Sequence, residues 1–115
     1  QKWADYLDKT NQFKHDANRP SNEGENLYAG SASYTAAVDL WASEKKCFKN
    51  GAFPDIYNGK CDTDLDCKDY KDWHCSGHYS QIVWRDTKQV GCGMANGIVV
   101  CRYSPPGNFY GKKTY

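Results

Sequence analysis

The chain has 115 residues with a formal net charge of +1 and 25% charged side chains, a length that suits one domain over residues 1–115. No apolar run approaches the ~18 residues of a membrane span. Lysine and arginine lie scattered among the acids, which argues against a nucleic-acid partner, since that needs a basic stripe.

The opening QKWADYLDKT carries Trp3 and Leu7 four apart, which predicts a helix that runs out near Thr10 and starts without a capping residue. It is no basic and apolar leader, so a signal peptide would have been removed or lain upstream. HDANRPSNEGENLYAG, rich in Asn, Pro and Gly, reads as a loop. SASYTAAVDLWASEKKC predicts a helix over 34–46 with Ser33 as N-cap and Ala37, Leu40 and Trp41 on its apolar face. A long polar loop joins Cys47 to Cys75. GHYSQIVWRDTK fits helical spacing through His78 and Ile82 and also fits alternation; helix is the preferred reading. QVGCGMA and GIVVCRYS form a hairpin about Asn96-Gly97, since both positions of a type I′ turn need positive φ. PPGNFYGKKTY has no period and is expected to wrap the surface. Helices segregated from an antiparallel hairpin make an α+β domain rather than a parallel βαβ one.

Six cysteines without paired CxxC knuckles read as disulfides formed in an oxidising compartment, most simply outside the cell. Counting outward from the Asn96-Gly97 turn sets Cys92 opposite Cys101 at a non-hydrogen-bonded position, where side chains approach closest, and predicts that bridge. Cys47, Cys61, Cys67 and Cys75 are expected to pair among themselves, with the connectivity open.

Glu44 follows Leu40 by four and Trp41 by three, so it points along the apolar stripe of its helix. A buried carboxylate needs a partner, a proton or a metal; the plainer reading is a stripe that has reached the helix end and emerges into water. His78, at the head of an apolar run, is by itself more often a hydrogen-bonded structural residue than a ligand. His15 and Glu25 are individually ordinary loop residues. Together the two histidines and two glutamates supply nitrogen and oxygen donors suited to zinc, although spacing does not show that they converge. A competing set, His74 and His78 in HCSGH with Cys67 and Cys75, lacks a CxxC and sits in disulfide-rich sequence. No glycine-rich phosphate loop, GxSxG or HExxH is present, and no cysteine stands out as a nucleophile.

GENLYAG, AAVDLWASEK, GHYSQIVWRDTKQVGCG and VVCRYSPPGNFYG resemble, in order, the signature blocks of the CAP superfamily: the cysteine-rich secretory, antigen 5 and pathogenesis-related class 1 proteins. The blocks span nearly the whole chain, and the ending is most similar to plant and fungal members. The resemblance implies secretion and an α-β-α sandwich with a small antiparallel sheet. It also implies a cleft tetrad of His15, Glu25, Glu44 and His78, able to take Zn2+ or another divalent cation.

Two departures accompany it. Relatives of this kind carry about thirty more residues before QKWA, so the fold is expected to be N-terminally truncated, and an uncovered apolar surface would favour a homodimer. Sterol-binding members place three spaced aromatics after the second tetrad glutamate; here Phe48 and Phe53 keep the last spacing, but Lys46 stands where the first aromatic belongs. The expected function is a secreted, non-enzymatic protein of defence or virulence that binds a sterol, fatty acid or similar apolar ligand through Phe48, Phe53 and Tyr57. The alternatives are an extracellular protein-interaction module without lipid and, ranked lower, a metal-dependent hydrolase using the tetrad.

Overall fold

The structure is a computed structural model that describes residues 1–61 and 72–115. Helix α1 spans Lys2–Thr10 and buries Ala4 and Leu7. It stops where Asn11 turns left-handed at φ 54, a conformation that ends helices by returning N–H groups to the last carbonyls; here Gln12 N–H reaches Leu7 C=O at 3.0 Å.

Strand β1, Gly24–Ala29, lies inside the stretch read above as a loop, and this corrects that reading. Its first four residues are all buried, so the alternation that marks a half-buried strand is absent. Two of them, Glu25 and Asn26, are polar. Helix α2, Tyr34–Ser43, begins at Ser33, whose Oγ accepts from Ala36 N–H at 3.1 Å. The helix ends three residues earlier than expected and tightens into a 3-10 turn, Glu44–Cys47. Leu40 does not join the buried stripe and is 46% exposed, whereas Ala37 and Trp41 are buried. A step of three from Ala37 swings ~60° to one side and a step of four ~40° to the other; the sheet lies on the Trp41 side.

A 3-10 turn at Trp73–Cys75 leads into α3, Gly77–Ile82, as the helical reading of that segment anticipated. Strands β2, Gln89–Ala95, and β3, Ile98–Ser104, form the hairpin, with Asn96 at φ 45 and Gly97 at φ 83. The antiparallel sheet has the order β1-β3-β2. Cys92 faces Cys101 in register and is bonded to it. Cys47 is bonded to Cys61, and Cys75 is disulfide-bonded as well; Cys67 lies outside the described residues.

The sheet separates two helical layers. On one face Leu27 and Val100 pack with Ala4 and Leu7 of α1. On the other, Val99, Cys101 and Tyr103 pack with Ala37 and Trp41 of α2. This is an α-β-α sandwich. A third cluster of Phe53, Ile56 and Trp84 lies beneath the loop after α2. The C-terminal segment does more than wrap the surface: Thr114 is fully buried, its hydroxyl bonds Ser80 at 2.8 Å, and its carbonyl accepts from Arg85 N–H.

Candidate functional site

Glu44 is buried, 5% exposed, so the plainer reading of a helix end emerging into water does not hold. Its Oε1 accepts N–H bonds from His78 at 3.0 Å and Tyr79 at 3.2 Å, and its Oε2 bonds His78 Nδ1 at 2.8 Å. The carboxylate therefore serves two purposes. It satisfies open amides in the first turn of α3, which have no intrahelical acceptor, and it fixes the His78 ring. That ring stacks on Trp41, centroids 5.9 Å apart and planes 13° off parallel. Trp41 is held in turn by its indole N–H, which donates to Leu27 C=O at 3.1 Å, while His78 C=O accepts from the Asn26 amide.

His15 has the same relation to Glu25, Nδ1 to Oε1 at 2.7 Å, with the carboxylate fully buried and the imidazole more than half exposed. The support is different. Glu25 also accepts from Asp16 N–H at 3.0 Å and from Arg102 Nε at 3.1 Å, and Arg102 reaches on to Asp16 Oδ2 at 2.6 Å. Burial pushes the Glu25 pKa up, but bonds from His15, Asp16 and Arg102 outweigh it and hold the pKa below the ordinary value of 4.5. Desolvation works against the Arg102 charge, yet its bonds to Asp16 and Glu25 raise its pKa on balance.

His15 and His78 line one hollow of about 330 Å³, with Leu27, Tyr28, Leu40 and Trp41 forming its apolar wall. The four expected residues thus meet as two histidine–glutamate pairs whose imidazoles share a cavity. A carboxylate accepting from Nδ1–H leaves Nε2 as the nitrogen with the lone pair, the arrangement that orients a histidine for a metal. An imidazole nitrogen of this kind is a donor type that divalent cations such as zinc accept. Among the described residues no group of three or more His, Cys, Asp or Glu is arranged to hold a metal ion, so further ligands would come from water or a bound molecule. His74 stands apart from this hollow and pairs with Asp72 at 2.6 Å. Of the rest of the HCSGH set, Cys75 is in a disulfide, and Cys67 lies outside the described residues.

The aromatic loop residues do not line this hollow. Phe53 is buried with Ile56 and Trp84, and its ring also meets Trp73 and Tyr110. Phe48 is half-buried, edge-on to Tyr79 at 5.0 Å. Tyr57 packs against the Cys47, Cys61 and Cys75 cluster, and its hydroxyl accepts from Cys61 N–H. Sequence reading missed Arg102. Its partner Glu25 stands directly opposite on β1, a cross-strand neighbour that is 77 positions away in the chain. Once β1 is recognised as a strand, an arginine between buried Cys101 and Tyr103 is the signal.

The profile described as "CAP: Cysteine-rich secretory protein family" matches residues 1–103. A venom allergen 5 from Microctonus hyperodae is 34% identical over 123 residues, covering 90% of this chain and 47% of that protein. Pathogenesis-related leaf protein 4 from Solanum lycopersicum is 37% identical over 102 residues, covering 83% and 55%. A solved structure described as "Structure of BmVAL-1" superposes with a TM-score of 0.68 at 28% identity, covering all of this chain and 58% of the other. The chain spans about half the length of the curated relatives it matches.

Proposed function

The chain belongs to the cysteine-rich secretory protein family, and from that premise we propose that it works outside the cell as a pathogenesis-related binding protein. Its ligand is small and largely apolar, of the sterol or fatty-acid class, and sits between His15 and His78. The observation that carries this reading is the hollow itself, an apolar wall of Leu27, Tyr28, Leu40 and Trp41 with an imidazole from each pair at its edge. At about 330 Å³ it stands at the low end of small-molecule sites, which run ~300–1,000 Å³. It therefore suits an acyl chain or one end of a sterol rather than a large ligand enclosed whole. The disulfides accord with an oxidising compartment, and among the described residues no helix is long and apolar enough to cross a membrane.

Binding is preferred to hydrolysis because both carboxylates are committed. Glu25 is engaged by His15, Asp16 and Arg102, and Glu44 by His78 and Tyr79, so neither is placed as a free general base. A zinc ion on the Nε2 atoms of His15 and His78 would supply a Lewis-acidic anchor for the polar head of the ligand.

The test is titration of the purified chain with a fluorescent sterol and a fluorescent fatty acid, with and without zinc. Saturable binding that Leu40→Asp weakens at least ~10-fold supports the hollow. Binding that Phe48→Ala abolishes and Leu40→Asp spares moves the ligand to the aromatic loop. No saturable binding of either probe ends the lipid reading and leaves the protein-interaction alternative. Equilibrium dialysis with zinc, in which His15→Ala and His78→Ala each lower affinity, tests the metal separately.

A further inference from the structure

The hollow between His15 and His78 lies beside β1, at the opposite edge of the sheet from β2. One cation lines it that neither histidine–glutamate pair uses: Lys14, next to His15. Its backbone is pinned on both sides of the imidazole. The Lys14 carbonyl accepts from the Trp3 indole N–H at 3.0 Å, and Asp16 N–H donates to Glu25. Lys14 is exposed, and among the described residues its ammonium is in no ion pair.

The acids of the site are engaged away from the hollow. The Glu25 carboxylate is fully buried and takes up Arg102 as well as His15. Asp16 pairs with Arg102 at 2.6 Å, and Glu44 is buried against His78. None of the three lines the cavity. The Tyr28 hydroxyl is bonded to Ser31, so Tyr28 offers the hollow its ring. What remains is an apolar wall with one full positive charge and two imidazoles, and no carboxylate to oppose an incoming anion.

We propose that Lys14 sets the head group this hollow accepts: it pairs with a carboxylate, so a fatty acid is taken in preference to an uncharged sterol or fatty alcohol. This rests on the assignment of the hollow as the lipid site and adds the charge of the ligand to it. The acyl chain lies against Leu27, Leu40 and Trp41, and the carboxylate faces the Lys14 side. A hydroxyl head is served by either imidazole and gains from Lys14 a hydrogen bond alone. A carboxylate gains the attraction of opposite charges as well. Beside the buried Leu27 and Trp41 that attraction is screened less than at an open surface. The long aliphatic stem of Lys14 can follow the apolar rim while its ammonium meets the head.

Titration of the 115-residue chain in metal-free buffer of low ionic strength, with a fluorescent fatty acid and the fatty alcohol of the same chain, tests this. The acid is expected to bind at least ~10-fold more tightly than the alcohol, and the ratio should shrink as salt is added. Lys14→Met should bring that ratio close to one, and Lys14→Arg should keep it. Equal affinity for the two probes, with binding that Leu40→Asp weakens, overturns the proposal and leaves the hollow as the lipid site. A preference for the acid that survives Lys14→Met also overturns it, because another group would then read the charge. Saturable binding of neither probe overturns both the choice of head group and the lipid site beneath it.

Discussion

The two histidine–glutamate pairs present the same chemical group to the same cavity and are built in opposite ways. Glu44 and His78 are held by packing and backbone: two amides of α3, the Trp41 ring, and the junction of α2 with its 3-10 turn. Glu25 and His15 are held by charge, through Arg102 bridging Asp16 and Glu25 across two strands and a loop. The first arrangement answers to anything that disturbs the core. The second answers to pH and salt, since its cation is 28% exposed and its imidazole 56%. One side of the hollow is thus rigid by construction, and the other is adjustable by solution conditions.

The hardest way to break this contrast is Trp41→Ala. Removing a fully buried indole costs ~3–5 kcal/mol, and His78 loses its stacking face with it. Denaturant unfolding should show the loss, and NMR at a single pH should show the His78 ring signals displaced by the lost stacking while those of His15 hold. Glu44→Ala comes next, at ~2–4 kcal/mol, because it leaves the His78 and Tyr79 amides without their acceptor in a buried place; fraying of α3 under hydrogen exchange is the local readout.

Arg102→Met is expected to cost ~1–3 kcal/mol at neutral pH, less than a fully buried pair would because solvent screens the guanidinium. Its pH signature sharpens the comparison. The Glu25 pKa is held below 4.5 in the folded chain, so its contribution is fully present above that value. It drains away as pH falls below 4.5 through the lower folded value. Wild type and Arg102→Met should therefore converge in stability as the solution is acidified through that window. The smallest effect belongs to His15→Ala. Its exposed imidazole contributes ~1 kcal/mol or less, and added salt should erase most of that.

What was legible in the sequence follows the range of the interaction that encodes it. The end of α1, the Ser33 cap and the hairpin are local: a four-residue spacing, a side chain reaching three residues on, a turn that requires Asn-Gly. Those read correctly, and Cys92 against Cys101 followed by counting. The buried position of Glu44 was flagged by helical spacing, but spacing alone left open whether it met a partner or solvent; the partner lies 34 residues downstream. Strand β1 was hidden because its buried residues include a glutamate and an asparagine, whose partners, Arg102 and Tyr103, belong to a distant strand. Leu40 was misplaced for a different reason. Apolar spacing of three and four marks a face but does not say toward which flank the neighbouring sheet lies.

The C-terminal segment carries a mechanical consequence. Lys112 C=O receives Phe53 N–H, Ala52 bridges Lys113, and Thr114 is locked to Arg85 and Ser80. A load applied through Tyr115 would therefore enter the disulfide-bounded loop and the end of α3 before it reached the sheet. Tethering the protein by that end should break the anchor at Thr114 first and then peel away the aromatic cluster around Phe53, before the strands and both imidazole pairs bear the load.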